Sequence, residues 1–345
     1  IILSNGVLNY DILVMATGTE SNYFGNKNIE AYSLPMKTIS DALTLRNTIL
    51  TRLDRATRLT SEVERKKMLT FVIAGAGPTG VELSGVLAEM NASIIKKDYP
   101  ELADQDILKI YLVDGLPTVL NVMSKKSQEY TYKKLKELGV EIKLNCLVKD
   151  FNKDVVELSD GSKIESRNLI WAAGVSAKTF EGFELSSYGR GKRLKANAFN
   201  LVEGYENIYA LGDCATLSGD ANYPDGHPQL AQPAIQQANN LAVNLEKDSR
   251  NWKPFNYTNN GSLAIIGRNK AVFDLPKEKY FIKGFLAWLI WLFVHIMGLV
   301  NFKNRLRTFV NWIGYYIYKD QYFRMIIKPN EKSKQESDEI NEDAL

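Results

Sequence analysis

The chain has little of what metal and disulfide chemistry require. Its 345 residues include two cysteines and two histidines. Cys146 and Cys214 lie far apart with no CxxC pair, which argues against a disulfide framework and for a reducing compartment. His227 and His295 are too few for a histidine-rich metal centre. No segment repeats with a solenoid period, and there is no signal-peptide pattern. The longest apolar run, residues 285–300, is broken only by His295, and it falls short of the roughly 20 residues a spanning helix needs. The first residue is Ile1 rather than methionine, so the sequence is expected to begin inside a longer protein.

What is present is ordinary globular material. Hydrophobic residues make up 45% and charged residues 24%, enough for two or three domains. The net charge of +3 hides an asymmetry. Residues 281–328 hold seven Lys/Arg and one Asp, so that segment is +6 and the remainder −3. Residues 329–345 are almost wholly polar and are expected to be a disordered tail.

The most informative stretch is residues 71–90. An apolar run, Phe71-Val72-Ile73-Ala74, predicts a buried parallel strand. Gly75, Gly77 and Gly80 follow at the GxGxxG spacing, and a helical pattern begins at once. The glycines allow a tight turn, a close approach of backbone to pyrophosphate, and close helix–strand packing. The helix start offers unpaired N–H groups to phosphate, with Thr79 among them. Strand before and helix after make this a dinucleotide site; the alternative is a glycine-rich turn without a ligand.

A second apolar strand, Ile110-Tyr111-Leu112-Val113, ends in Asp114. A carboxylate at this point can accept hydrogen bonds from a free ribose 2′-OH and repels a 2′-phosphate, which favours NAD over NADP. It comes 34 residues after Gly80, later than the usual spacing of about 20, so residues 91–107 look inserted. Asp114 could instead be a turn residue before Gly115. Three further strand ends carry small residues: Ala16-Thr17-Gly18, Trp171-Ala172-Ala173-Gly174, and Leu211-Gly212-Asp213-Cys214-Ala215. Such ends let a flat ring or a ribose lie against backbone, and Asp213 can reach a polyol hydroxyl.

Taken in that order, the motifs resemble the two-dinucleotide flavoprotein reductases. Within them the chain is similar to the type II NADH:quinone oxidoreductases. The similarity rests on Gly75-Ala76-Gly77-Pro78-Thr79-Gly80-Val81-Glu82, on Ala231-Gln232-Pro233-Ala234-Ile235-Gln236-Gln237, and on the aromatic-basic C-terminal segment. It covers about residues 1–328. The resemblance implies an α/β fold of two Rossmann-like dinucleotide-binding domains, with FAD and NAD as cofactors. The FAD domain is incomplete at its N-terminus, since nothing in residues 1–70 matches a first GxGxxG. The implied domains are residues 1–36 and 174–262 for FAD and 37–173 for NAD(H). A hairpin connection (263–279) and amphipathic membrane-associating helices (280–328) complete the C-terminal part.

The resemblance also assigns roles. Glu82 would sit close to flavin and nicotinamide, where a carboxylate stabilises the positive ring formed as hydride leaves. By position alone it could equally be a first-turn acid favouring the helix dipole. Ala231 and Gln232 would lie below the flavin ring. Gln232 and Gln236, four residues apart on one helical face, would line a quinone tunnel, because amides donate to carbonyls without titrating. A surface helix rich in Gln and Asn is the plain alternative. His227 lies in a Pro/Asp/Gly loop and is expected at the surface.

Residues 285–300 and the stripe Leu306, Phe309, Val310, Ile313, Ile317 suit an interfacial anchor. Three of the five tryptophans, Trp288, Trp291 and Trp312, fall there. A single spanning helix and a buried helix of a homodimer interface are the alternatives. The expected activity is electron transfer from NADH through FAD to ubiquinone or menaquinone without proton pumping. The expected place is peripheral, on the cytoplasmic face of the inner membrane, with no nucleic-acid partner. A soluble reductase of a ferredoxin or thioredoxin-like partner and a non-catalytic NAD-binding sensor are the competing readings.

Overall fold

The computed structural model describes residues 1–91, 95–102, 108–276 and 280–318. The expected disordered tail, residues 319–328 of the expected anchor and parts of the expected insertion lie outside these. The chain folds into two compact units. One joins Ile1–Asn22 to Gly174–Asn260; the other joins Tyr23–Ala173 to the chain from Gly261 onward.

The second unit is built on a parallel five-stranded sheet. Its order is Leu34–Pro35, Asn168–Trp171, Thr70–Ala74, Lys109–Val113, Glu141–Lys143. Every residue of the central strand Thr70–Ala74 is buried, because both faces of the sheet are covered. Phe71, Ile73 and Leu112 pack with the helical side. Val72, Ala74 and Val113 pack with Phe151, Val156 and Ile164 of a three-stranded antiparallel sheet. Gly161 turns that sheet's hairpin with φ +83°, as the Asp160-Gly161 pair predicts.

Residues 23–36, expected with the FAD domain, belong to this unit instead. Leu34 and Pro35 add an edge strand by pairing with Ile170 and Trp171. The helix Ile39–Arg58 starts with a capping box between Thr38 and Asp41 and buries Leu45, Ile49, Leu50 and Leu53, whereas Ile39 is exposed.

The expected hairpin is present as Ser262–Gly267 and Lys270–Asp274, with Phe281–Lys283 added as a third strand. It is part of the second unit rather than a separate connection. The reason is Gly85, in the helix Pro78–Met90: a Cβ there would stand 1.8 Å from the Ile266 carbonyl oxygen. Helix and strand touch backbone to backbone.

The other side of the hairpin holds the helix Lys125–Glu137, which the sequence reading did not include. Asp274 accepts from Ser124 N at 2.7 Å, Ser124 Oγ at 2.8 Å and Ser127 Oγ at 2.8 Å. A strand carboxylate thus satisfies the helix start from 150 residues away.

In the first unit, Leu13–Met15 pairs in parallel with Ile208–Ala210, and Leu194–Ala196 pairs in parallel with Ala215–Leu217. The helix Ala231–Leu245 packs on the short turn Gly212–Cys214. Its core joins Met15, Ile208 and Ala210 to Phe255 and Tyr257.

Candidate functional site

In the second unit the glycine turn has the geometry its spacing predicts, and the three glycines have different reasons to be there. Gly75 has φ +103°, and a Cβ would lie 2.4 Å from the Ala172 carbonyl oxygen. At Gly80 a Cβ would lie 1.8 Å from the Gly75 carbonyl oxygen. Both are excluded by the fold itself. Gly77 is different: its φ of −71° suits any residue, and a Cβ there meets nothing within 4 Å. The fold does not need glycine at this position, whereas a ligand pressed against the backbone would. Gly77 is also the helix N-cap without a capping side chain, and Pro78 follows at the first helical position. The first N–H groups therefore have no side-chain acceptor, as a phosphate cradle requires. Thr79 is exposed beside them.

Asp114 follows the strand Lys109–Val113, next to that turn. One carboxylate oxygen accepts from Ala76 N inside the glycine turn, and the other accepts from Leu116 N at 2.7 Å. Its visible work is to brace the turn. A carboxylate has about four lone-pair sites, so two backbone donors leave acceptor capacity for a ribose. Ala173 lies two residues past the strand Asn168–Trp171, and the neighbouring Ala172 N–H bonds to the Ala74 carbonyl at 2.9 Å.

Glu82 is the fifth residue of its helix, past the first turn, so dipole stabilisation does not account for it. It accepts from the Ile265 backbone N–H at 3.3 Å and from the Trp291 side chain. Burial pushes its carboxyl up to about 7, against these two donors, which pull it down. A carboxyl poised there can hold or release a proton near neutral pH.

In the first unit two predicted turns lie side by side at the carboxyl ends of paired parallel strands. Ala16 and Thr17 are exposed, and Gly18 has φ +65° with no atom within 4 Å of a Cβ. Gly212 has φ +71°, and Asp213 accepts from Thr19 Oγ1 at 3.4 Å. Ligands of open parallel sheets bind at such strand ends. Gly174 opens this part of the chain, and its carbonyl accepts from Asn22 N at 3.1 Å.

Ala231 is the exposed first residue of its helix. Gln232 Oε1 accepts from the Tyr257 hydroxyl at 3.4 Å and from Asn260 N at 3.2 Å. Gln236 is clamped both ways on Thr258, donating to its carbonyl at 2.9 Å and accepting from its N–H at 3.0 Å. Sequence reasoning missed Gln237: it is 1% exposed, and its Oε1 accepts from Gly212 N at 2.6 Å. The AQxAxQQ string held it in plain view, but only the fold shows which amide braces the Gly212 turn. His227 is 2% exposed rather than at the surface. It pairs with Asp220 at 3.0 Å among Tyr223, Phe255 and Tyr257.

At the C-terminus the helices Phe285–Met297 and Phe302–Tyr318 and the link between them present Phe293, Phe302 and Val300 at 65%, 74% and 85% exposure. Leu306, Phe309, Val310 and Ile313 are exposed as well; the side chain of Ile317 lies outside the described residues. Among the described residues no helix is long and apolar enough to cross a membrane.

The Rossmann-like parallel sheet, its glycine turn and the paired strand-end turns define a pyridine-nucleotide flavoprotein fold. Residues 4–238 match the family model of the pyridine nucleotide-disulphide oxidoreductases, and residues 259–319 match that of the NDH2 C-terminal domain. The chain belongs to the type II NADH:quinone oxidoreductase family. It is 35% identical over 317 residues to the type II NADH:quinone oxidoreductase Ndh of Mycobacterium tuberculosis, covering 88% of this chain and 66% of that one. It is 27% identical to the mitochondrial internal alternative NAD(P)H-ubiquinone oxidoreductase A1 of Arabidopsis thaliana, covering 90% and 63%. The chain thus spans just under two thirds of these relatives' length. The NDH2 of Plasmodium falciparum, solved with NADH, superposes with a TM-score of 0.83 at 24% identity, covering 93% of this chain and 80% of that one.

Proposed function

We propose that the protein oxidises NADH and passes the electrons through FAD to a quinone at a membrane surface. The observation that carries the nicotinamide half is Gly77, a glycine with no intramolecular reason beside an uncapped helix start. Gly75, Gly77, Thr79 and Gly80 would cradle the pyrophosphate, and Asp114 would read the ribose. Glu82 would stabilise the positively charged nicotinamide ring or exchange a proton at its carboxyl. FAD suits the paired turns of the first unit: Ala16, Thr17, Gly18, Gly174, Gly212 and Asp213 offer backbone, a positive-φ cradle and a carboxylate. When bound, it would take up two electrons as hydride and release them to quinone. This chain's residues would orient the cofactors and exclude water, which is most of what a hydride-transfer protein must do. Ala231 and Gln232 would face the flavin, and Gln232 with Gln236 the quinone.

The exposed apolar residues of the two C-terminal helices, with Lys303, Arg305 and Arg307, support interfacial attachment. The same surface disfavours a freely soluble reductase of a small protein partner. On this reading the enzyme works on the cytoplasmic face of the inner membrane. Flavin-loaded protein mixed anaerobically with NADH and then with quinone tests the proposal. Gln232→Ala should slow flavin reoxidation and leave its reduction nearly intact; slowed reduction alone would refute the quinone role.

A further inference from the structure

Gln232 is held in place by a buried assembly that begins at Asp220 and His227. Asp220 and His227 side chains are 3% and 2% exposed. The Asp220 carboxylate accepts from His227 Nε2 at 3.0 Å, Asn222 N at 2.9 Å and Tyr257 N at 3.3 Å. Burying a carboxylate is costly unless several donors meet it, and here three do, holding its pKa below the ordinary value despite burial. The third donor is the backbone of Tyr257, 37 residues away. The ring of Tyr257 is held as well, at 5.2 Å from Tyr223 and 5.8 Å from His227, centroid to centroid. Arg193 closes the assembly by donating to the His227 carbonyl at 3.1 Å. A tyrosine fixed at both backbone and ring has little freedom left in its hydroxyl, and that hydroxyl donates to Gln232 Oε1. Residues 258 and 260 continue the strap along the same helix face through Gln236 and Gln232.

We propose that Tyr257, pinned by the Asp220–His227 pair, is a positioning residue that sets the orientation of the Gln232 amide for quinone. This rests on the reading of Gln232 as a quinone-facing residue. The chemistry favours a function beyond fold stability. A strap needed only for stability could be packed with an apolar ring; this one ends in a hydroxyl aimed at the amide of the motif residue. With the amide oxygen facing two donors, the amide is locked in one of its two flips, so the end presented to a carbonyl acceptor is defined.

The test is Tyr257→Phe in the flavin-loaded protein, compared with wild type, Gln232→Ala and the double variant. The readouts are NADH oxidation with a short-chain quinone and with ferricyanide, Kd of the short-chain quinone from tryptophan fluorescence quenching without NADH, and Tm. Tyr257→Phe should raise the quinone KM and Kd about three- to tenfold, the worth of one hydrogen bond. Its kcat with ferricyanide should stay unchanged. In the Gln232→Ala background the same substitution should have no further effect on quinone, because its influence passes through that amide. Quinone KM and Kd within about twofold of wild type, or fully additive effects in the double variant, would overturn the proposal. A lowered Tm with unchanged KM and Kd would leave Tyr257 a purely structural residue and also overturn it. Failure of the underlying reading looks different: wild type would reduce ferricyanide with NADH and neither bind nor reduce the quinone.

Discussion

The raised pKa of Glu82 should be visible in folding stability. The carboxyl is displaced from 4.5 to about 7 by burial, with Ile265 N and the Trp291 side chain opposing the displacement. The folded protein therefore binds this proton more tightly than the unfolded chain. Where the folded state holds more protons, stability falls as pH rises. The contribution is fully present below about pH 4.5 and is lost progressively up to about pH 7. At about 1.4 kcal/mol per pH unit, the loss across that window reaches about 3 kcal/mol. That figure is a ceiling, because the side chain keeps some contact with solvent. Glu82→Gln removes the titration while keeping the shape and one acceptor oxygen. Urea unfolding of wild type and Glu82→Gln, measured at intervals from about pH 5 to about pH 8, should give curves that diverge. Relative to the variant, wild type should lose about 2–3 kcal/mol over that range, nearly all of it before neutrality. Parallel curves would refute the reasoning, as would a wild type that gains stability with pH relative to the variant. The first outcome would mean a well-solvated carboxyl, and the second a carboxyl stabilised in its ionised form.

The glycines of the nucleotide turn and of the helix that follows it should separate into two classes. Gly77→Ala should leave Tm within about 2 °C and weaken NADH binding at least tenfold. Gly80→Ala and Gly85→Ala force a Cβ onto a backbone carbonyl and should each lower stability by several kcal/mol, of order 3 or more; equal Tm losses for all three would contradict the geometry. NADH should be preferred to NADPH by at least about tenfold in kcat/KM, about 1.4 kcal/mol, and Asp114→Ala should erode the preference. Neutralising Lys303, Arg305 and Arg307 together should weaken co-sedimentation with anionic vesicles far more than with neutral ones, since each well-placed cation adds about 1 kcal/mol at a charged surface. Binding unaffected by lipid charge or salt would leave the dimer-interface alternative for these helices.

The local features of this chain were legible in its sequence because they depend on a few adjacent residues. A four-residue apolar run, three glycines at fixed spacing and a helical period cannot easily be anything but a strand, a phosphate-type turn and a helix. The same holds for the hairpin at Asp160-Gly161 and for the aromatic-basic helices at the C-terminus. What the tertiary structure alone decided are meetings between residues far apart in the chain. Glu82 owes its raised pKa to burial that only the fold creates, and the Ile265 N–H that partly opposes the shift comes from 183 residues later. Asp114 turns out to brace Ala76. His227 is buried because Asp220 and three aromatic rings close around it. The helix Lys125–Glu137 escaped notice for the same reason. Its buried residues are Ser127, Thr131 and Leu135, a weak apolar stripe, and its start is satisfied by Asp274 from another strand. Periodicity reports the apolar face a helix must hide. It carries no sign of a carboxylate that arrives from 150 residues away, since that contact exists only once the chain has folded.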